Sequence, residues 1–299
     1  MPDNRTALAP ALDADVESLE TAAAGTVRCY VDRRGQGAPL VLLHSINAAP
    51  SALEMKPLFE RFRGRRPVFA PDLPGFGLSD RADRDYTPGL YAAVIGDVLR
   101  EVAGPGGDVV ALSLSAEFAA RSIGDDPDCC RSLAIISPTG LGGREPPGPR
   151  ARARLKRFFR LPLLDRGLYR TLTSRPSIRY FLGKAFEGSA PDEMIDYAYA
   201  TAHQPGARHA PFCFLSMGLF SPDACSDLYR PLPVPGLVIY DRDPNVTFTR
   251  LPALLESAPQ WRAQRIAPTL GLPHWEQTEA TCAALESFWQ DIGRQRRNA

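Results

Sequence analysis

The feature that most limits the fold of this chain is a series of short apolar runs separated by helical stretches. Residues 39–44 (PLVLLH), 67–70, 108–112, 133–137 and 236–240 are each bounded by Gly, Pro or charged residues. Residues 263–266 form a weaker sixth run, and 26–32 alternates weakly. Runs of that length suit strands buried on both faces. Helical periodicity falls between them, at 51–62, 87–102, 116–123, 251–257 and 278–292. Strands alternating with helices specify an α/β fold with a mostly parallel central sheet flanked by helices.

The alternation stops between residues 140 and 230. Pro-rich segments bracket this stretch, Glu145-Pro146-Pro147-Gly148-Pro149 at one end and Pro231-Leu232-Pro233-Val234-Pro235 at the other. Leu155, Phe158 and Phe159 repeat at helical spacing inside it, and Ser189 can cap a helix before Met194 and Tyr197. The expected organisation is a poorly ordered segment at 1–25, an α/β core from 26–139 and 231–299, and a helical insertion at 140–230.

With 299 residues the chain can bury roughly 75% of its unfolded surface, so no metal or disulfide is needed for stability. Its net charge of +1 argues against nucleic acid or a membrane surface as a partner. The first twenty residues carry Asp3, Asp13, Asp15, Glu17 and Glu20 and no apolar core, unlike a signal peptide. No apolar run is long enough to span a bilayer. The six cysteines lack C-x-x-C or metal-ligand spacing, so a cytoplasmic setting is expected and no metal or other cofactor is implied.

The chemistry is concentrated in Ala111-Leu112-Ser113-Leu114-Ser115, between a strand and a helix. Small-x-Ser-x-small at such a junction is the pattern of a nucleophile elbow, here with both usual glycines replaced. The turn is tight enough that only small residues fit two places either side of the serine.

A second string, Asp72-Leu73-Pro74-Gly75-Phe76-Gly77-Leu78-Ser79-Asp80, precedes Ser113 at a suitable interval, and His44-Ser45-Ile46-Asn47 follows PLVLL. On these segments the chain from 26 to 292 resembles the α/β-hydrolase family with a helical lid, and is similar to bacterial lidded esterases and C–C hydrolases. The resemblance implies a serine nucleophile, an acid and a histidine base in that chain order. Ser113 would be the nucleophile. His274, in Gly271-Leu272-Pro273-His274-Trp275, would be the base; of the other histidines, His44 belongs to the oxyanion loop and His203 and His209 to the insertion. Asp241 and Asp243 both follow the strand at 236–240, and the family's Gly-x-x-Asp-Pro pattern favours Asp243. Backbone N–H groups of Leu114 and Ile46 would form the oxyanion hole. Ser45 stands where the family has glycine, so either the loop avoids left-handed angles or Ser45 is strained there.

Glu117, four residues past Ser113, reads as an acid in the first turn of a helix, or alternatively as a pocket carboxylate. The insertion is basic between 144 and 184, where its only acids are Glu145 and Asp165. That basic run is a solvated helix face or the footprint of an anionic partner, such as a coenzyme A ester or a carrier protein. Aromatics including Phe181, Phe186, Tyr197 and Phe212 are expected in its core, around an apolar acyl pocket. The reaction expected is hydrolysis of an ester or thioester through an acyl-enzyme. C–C bond hydrolysis, acyl transfer or lyase chemistry on the same triad is the alternative, and a non-catalytic binding protein a further one.

Overall fold

Eight strands make one sheet in the order β1-β2-β4-β3-β5-β6-β7-β8. The strands are β1 (Asp15–Thr21), β2 (Gly25–Asp32), β3 (Leu40–Leu43), β4 (Val68–Asp72), β5 (Gly107–Leu112), β6 (Cys130–Ile136), β7 (Gly236–Arg242) and β8 (Trp261–Leu270). The computed structural model describes residues 7–143, 146–159, 161 and 164–298. Asp3 and Glu145, named above, lie outside the described residues. The β1–β2 and β2–β4 pairs are antiparallel and all other pairs are parallel. The central strands β3, β4 and β5 are buried at every position, as continuous apolar runs require.

The expected poor order of residues 1–25 is corrected for the described part: Asp15–Thr21 forms the edge strand β1, paired in register with β2. Its alternation is masked by acidic residues on the open face, where an edge strand meets water. At the other end of the chain, α11 runs Thr278–Asn298.

Helices cover both faces: α1 (Lys56–Phe62), α2 (Pro88–Asp97), α3 (Ser115–Asp125), α9 (Leu251–Ser257) and α11. Between β6 and β7 the described residues form the α-helices α4 (Pro149–Phe159), α5 (Leu164–Leu172), α6 (Arg175–Gly183), α7 (Asp192–Ala202) and α8 (His209–Leu215), followed by a π-helical turn at Cys225–Tyr229. Pro191, not Ser189, precedes α7. The base of this insertion is pinned where it leaves and rejoins the sheet: the Tyr229 hydroxyl donates to the Thr139 carbonyl at 3.0 Å. Glu117 is buried and accepts from the Thr139 hydroxyl and from the Ser221 amide, so its role is to tie α3 to the insertion. Phe186 and Phe212 are buried as expected, but Phe158 and Phe181 face solvent at 47% and 56% exposure. Phe181 packs edge-on against Tyr180, with the Lys184 ammonium over the Tyr180 ring, so the pair forms an outer cluster.

The loop after β4 shows why its string is so specific. Asp72 is fully buried, and its two carboxylate oxygens accept the Ala52 and Leu78 amides, each at 2.8 Å. Gly77 has φ +50°, and a Cβ there would come within 1.9 Å of the Asp72 carboxyl carbon. Only glycine therefore closes this loop. Gly77→Ala should destabilise the fold by roughly 2–3 kcal/mol, seen as a lower urea midpoint at unchanged slope.

Candidate active site

The order of strands reverses about β3 and β5, and loops from their C-terminal ends meet at that switch point, where ligands bind in open α/β sheets. Ser113 directly follows β5 with φ +55°, one of three non-glycine residues with positive φ among those described. A left-handed serine costs about 1–3 kcal/mol and persists only when its surroundings hold it. Here the Ser113 amide donates to the Ile136 carbonyl of β6 at 2.9 Å, while the Ala116 amide returns to the Ser113 carbonyl at 3.2 Å. Ser115 is fully buried and its hydroxyl donates to the His44 carbonyl. A serine thus replaces the usual glycine with a gain: it bolts the elbow to the loop after β3. The Ser113 side chain is half-buried, and no described group hydrogen-bonds its hydroxyl.

The loop after β3 is fixed from three sides. The His44 Nδ1–H donates to the Ser45 carbonyl at 2.6 Å and its Nε2 accepts the Leu73 amide at 2.9 Å. Burial pushes the imidazole down to about 4, so it is neutral and structural. The Ser45 amide donates to Glu54 Oε2 at 2.8 Å. Its hydroxyl and the Asn47 amide group both donate to Glu54 Oε1, at 3.1 and 3.0 Å. Ser45 is not among the positive-φ residues, so the loop avoids the angles that would demand glycine. Its hydroxyl is aimed at Glu54 and supplies no oxyanion donor. From the insertion, the Tyr169 hydroxyl reaches the carbonyls of Ala48 and Ala207. The Leu114 and Ile46 amides donate to no described group. These are the two amides that the family resemblance expects to bind an oxyanion.

Glu54 was not singled out by the sequence, although a lone carboxylate inside Ala52-Leu53-Glu54-Met55 was a visible signal. It is 7% exposed, and burial raises its pKa above the ordinary carboxylate value against three hydrogen bonds that lower it. Its main-chain carbonyl accepts two more bonds, from His274 Nε2–H at 2.8 Å and Trp275 Nε1–H at 2.7 Å.

His274 was expected as the base, and its described hydrogen-bond partner is the Glu54 carbonyl. The residue lies in the short helix α10 (Pro273–Glu276) and is fully buried. A carbonyl partner fixes the proton on Nε2. Nδ1 is then a bare acceptor, and no described group donates to it. Neither ring nitrogen bonds Asp243 or Ser113. Desolvation pushes the ring down to about 4, so it is neutral. A histidine base would instead carry its proton on Nδ1, held by the acid, with Nε2 toward the serine.

Asp243 follows β7. Its Oδ1 accepts the Asn245 and Val246 amides at 2.7 and 3.1 Å, which fixes the carboxylate, while no described donor reaches Oδ2. Burial raises its pKa, opposed by those two bonds. Asp241 is engaged elsewhere, accepting from Arg265 Nε at 2.7 Å and from the Thr269 amide at 2.9 Å. Arg242 pairs with Glu187 rather than with Asp241. A cleft of about 220 Å³ walled by Asp83, Arg84, Lys156 and Arg208 opens beside the insertion, and Ser113 is not part of its wall.

An elbow serine, an oxyanion loop and a carboxylate after the penultimate strand define the α/β-hydrolase class. The chain belongs to the Alpha/beta hydrolase family, which it matches over residues 40–284. It is 30% identical over 112 residues to 2-(acetamidomethylene)succinate hydrolase of Mesorhizobium japonicum, a match spanning 38% of this chain and 40% of that protein. The structure is similar to a thermophilic esterase from Thermogutta terrifontis, with a TM-score of 0.70 at 19% identity over 93% of this chain and 99% of that one. It is also similar to 2-hydroxy-6-oxo-6-phenylhexa-2,4-dienoate hydrolase from Rhodococcus sp. strain RHA1, with a TM-score of 0.71 at 18% identity over 92% and 100%. Among the described residues no helix is long and apolar enough to cross a membrane.

The buried Glu54 carboxylate gives a signed pH dependence. Its folded pKa lies above the ordinary 4.5, so ionising it in the fold costs stability as pH rises through that pKa. Gln at 54 cannot ionise. The stability of Glu54→Gln relative to the native chain should therefore improve as pH is raised from 4.5, measured by urea unfolding across the range; a flat or falling difference would contradict it.

Proposed function

We propose that this chain hydrolyses a bond to a carbonyl carbon by direct attack of water, with Asp243 as general base and without an activated serine. The carbonyl oxygen rests against the Leu114 and Ile46 amides, and the Ser113 hydroxyl donates a third hydrogen bond. Water adds to the carbonyl carbon and its proton passes to Asp243 Oδ2. The tetrahedral oxyanion then collapses, the bond to the leaving group breaks, and the protonated Asp243 returns the proton to that group. A carbanion-like leaving group needs this returned proton most, so C–C bond hydrolysis fits the site better than simple ester cleavage.

The observation that carries this reading is the bonding of His274. Its Nε2–H is held by the Glu54 carbonyl and Nδ1 has no donor, while Asp243 Oδ2 stays open. A raised carboxylate pKa also suits a general base, whose efficiency grows as its pKa approaches the working pH. The relatives named for a substituted succinate and a dienoate both act on acids, which supports a carboxylate-bearing substrate. The excess of basic side chains in the insertion favours the same charge. Six buried cysteines without C-x-x-C or metal-ligand spacing support a reducing compartment such as the cytoplasm.

The test is turnover of the phenylhexadienoate and the acetamidomethylene succinate, with p-nitrophenyl acetate as the ester probe. Asp243→Asn should cost about 10²–10⁴ in kcat. His274→Gln, which keeps a donor for the Glu54 carbonyl, should stay within about tenfold, whereas loss of a triad base costs on the order of 10⁶. Activity should fall as pH drops through the pKa of Asp243, at a point above the ordinary 3.8, because only the carboxylate accepts a proton. Loss of all turnover in His274→Gln with a stable fold would falsify this mechanism in favour of a Ser113–His274 acyl-enzyme.

A further inference from the structure

We infer that the outer side of the insertion docks on an anionic lipid surface, with arginines of α4 on the headgroups and exposed apolar side chains in the interface. This goes beyond the catalytic reading above and does not depend on it. The expectation that a net charge of +1 argues against a membrane surface treats the charge as evenly spread, and it is not. Residues 149–184 hold eleven Lys and Arg and one acid, Asp165, so this segment carries +10 and the rest of the chain −9. A bilayer meets one face of a protein, and beyond about 10 Å the charge elsewhere is screened.

On α4, Arg150, Arg154, Arg157 and Phe158 recur at i, i+4, i+7 and i+8, which is one face of a helix. All four are exposed, and the three arginines pair with no carboxylate among the described residues. Lys156, Arg175 and Arg179 do pair, with Asp85, Asp196 and Asp192. The other face of α4 holds Leu155 and Phe159, and the Phe159 ring stacks on Phe212 of α8 at 5.4 Å. The helix is thus seated by its inner apolar stripe and presents unpaired cations outward. Among the described residues the exposed large hydrophobic side chains are Phe158, Leu161, Tyr180 and Phe181. All lie in this basic segment, and none belongs to the wall of the cleft beside the insertion. Arginines interleaved with exposed Phe and Leu are the composition of a helix that lies in a lipid interface. The apolar side chains come in two pairs, one at the end of α4 and one on α6. A fluid surface accommodates both, and aromatic rings are favoured at its headgroup level. Single-stranded nucleic acid would need open ring faces for its bases. Here the Lys184 ammonium covers the Tyr180 ring at 4.3 Å, and Phe158 and Phe159 meet edge to face.

Co-sedimentation with vesicles of phosphatidylcholine, alone or mixed with phosphatidylserine, tests this. The native chain should partition onto the mixed vesicles and not onto phosphatidylcholine alone. Raising salt from about 0.1 M to about 1 M should release it, as the screening length falls to about 3 Å. Replacing Arg150, Arg154 and Arg157 together by Ser should weaken partitioning about 10²-fold, at about fivefold for each basic residue near the surface. Phe158→Ser with Leu161→Ser, and separately Tyr180→Ser with Phe181→Ser, should each weaken it at least about tenfold. A charge-matched variant outside the insertion, Arg65→Ser with Arg262→Ser and Arg294→Ser, should bind like the native chain. Circular dichroism checks that each variant is folded. Absence of binding to the mixed vesicles, equal binding to both kinds, or equal loss in the charge-matched variant overturns the inference. Binding of oligo-uridylate or polyglutamate through the α4 arginines, in place of vesicles, would assign the face to nucleic acid or to an acidic protein and also overturn it.

Discussion

Everything in this site depends on one strained turn, the left-handed Ser113 between β5 and α3. Its amide completes the sheet through the Ile136 carbonyl, so the strain is offset by a bond at the centre of the parallel strands. Once the chain turns there, α3 starts at Ser115, and the Ser115 hydroxyl pulls the loop after β3 against the elbow. The Leu114 and Ile46 amides thereby come to the same end of the sheet with no bond of their own. The turn closes with Ala111 and Ser115 in place of both usual glycines.

A second layer fixes the loop after β3. Glu54 gathers the Ser45 amide, the Ser45 hydroxyl and Asn47 on its carboxylate, and His274 and Trp275 on its carbonyl. The histidine that sequence order marks as a base thus bonds the main chain of the residue that fixes the loop after β3. Its neutral ring and fixed proton suit a hydrogen-bond donor in a dry interior, where charging the ring would be costly. Asp243 has one carboxylate oxygen held by two amides and one that no described donor reaches.

The strands and most helices were legible because burial on both faces writes continuous apolar runs, and α9 was read with both of its ends. β1 was not, because an edge strand with one wet face has charges where a central strand has Val or Ile. The strained turn at Ser113 was legible from local turn chemistry. The partner of His274 was not, because order along the chain does not say which group a ring nitrogen meets, here the Glu54 carbonyl. In the insertion, helical spacing correctly implied helices but not which aromatic faced in, since Phe158 and Phe181 pack on the outside.

The protonation of His274 is the most direct measure of whether the site works without a histidine base. Long-range ¹H–¹⁵N NMR of the ¹⁵N-labelled protein reports which ring nitrogen carries the proton. The neutral Nε2–H form should persist from neutral pH down towards about 4, unchanged by Asp243→Asn, because the Glu54 carbonyl holds that proton. An Nδ1–H form that shifts when Asp243 is neutralised would show His274 bonded to the acid, and would return Ser113 to an ordinary catalytic triad.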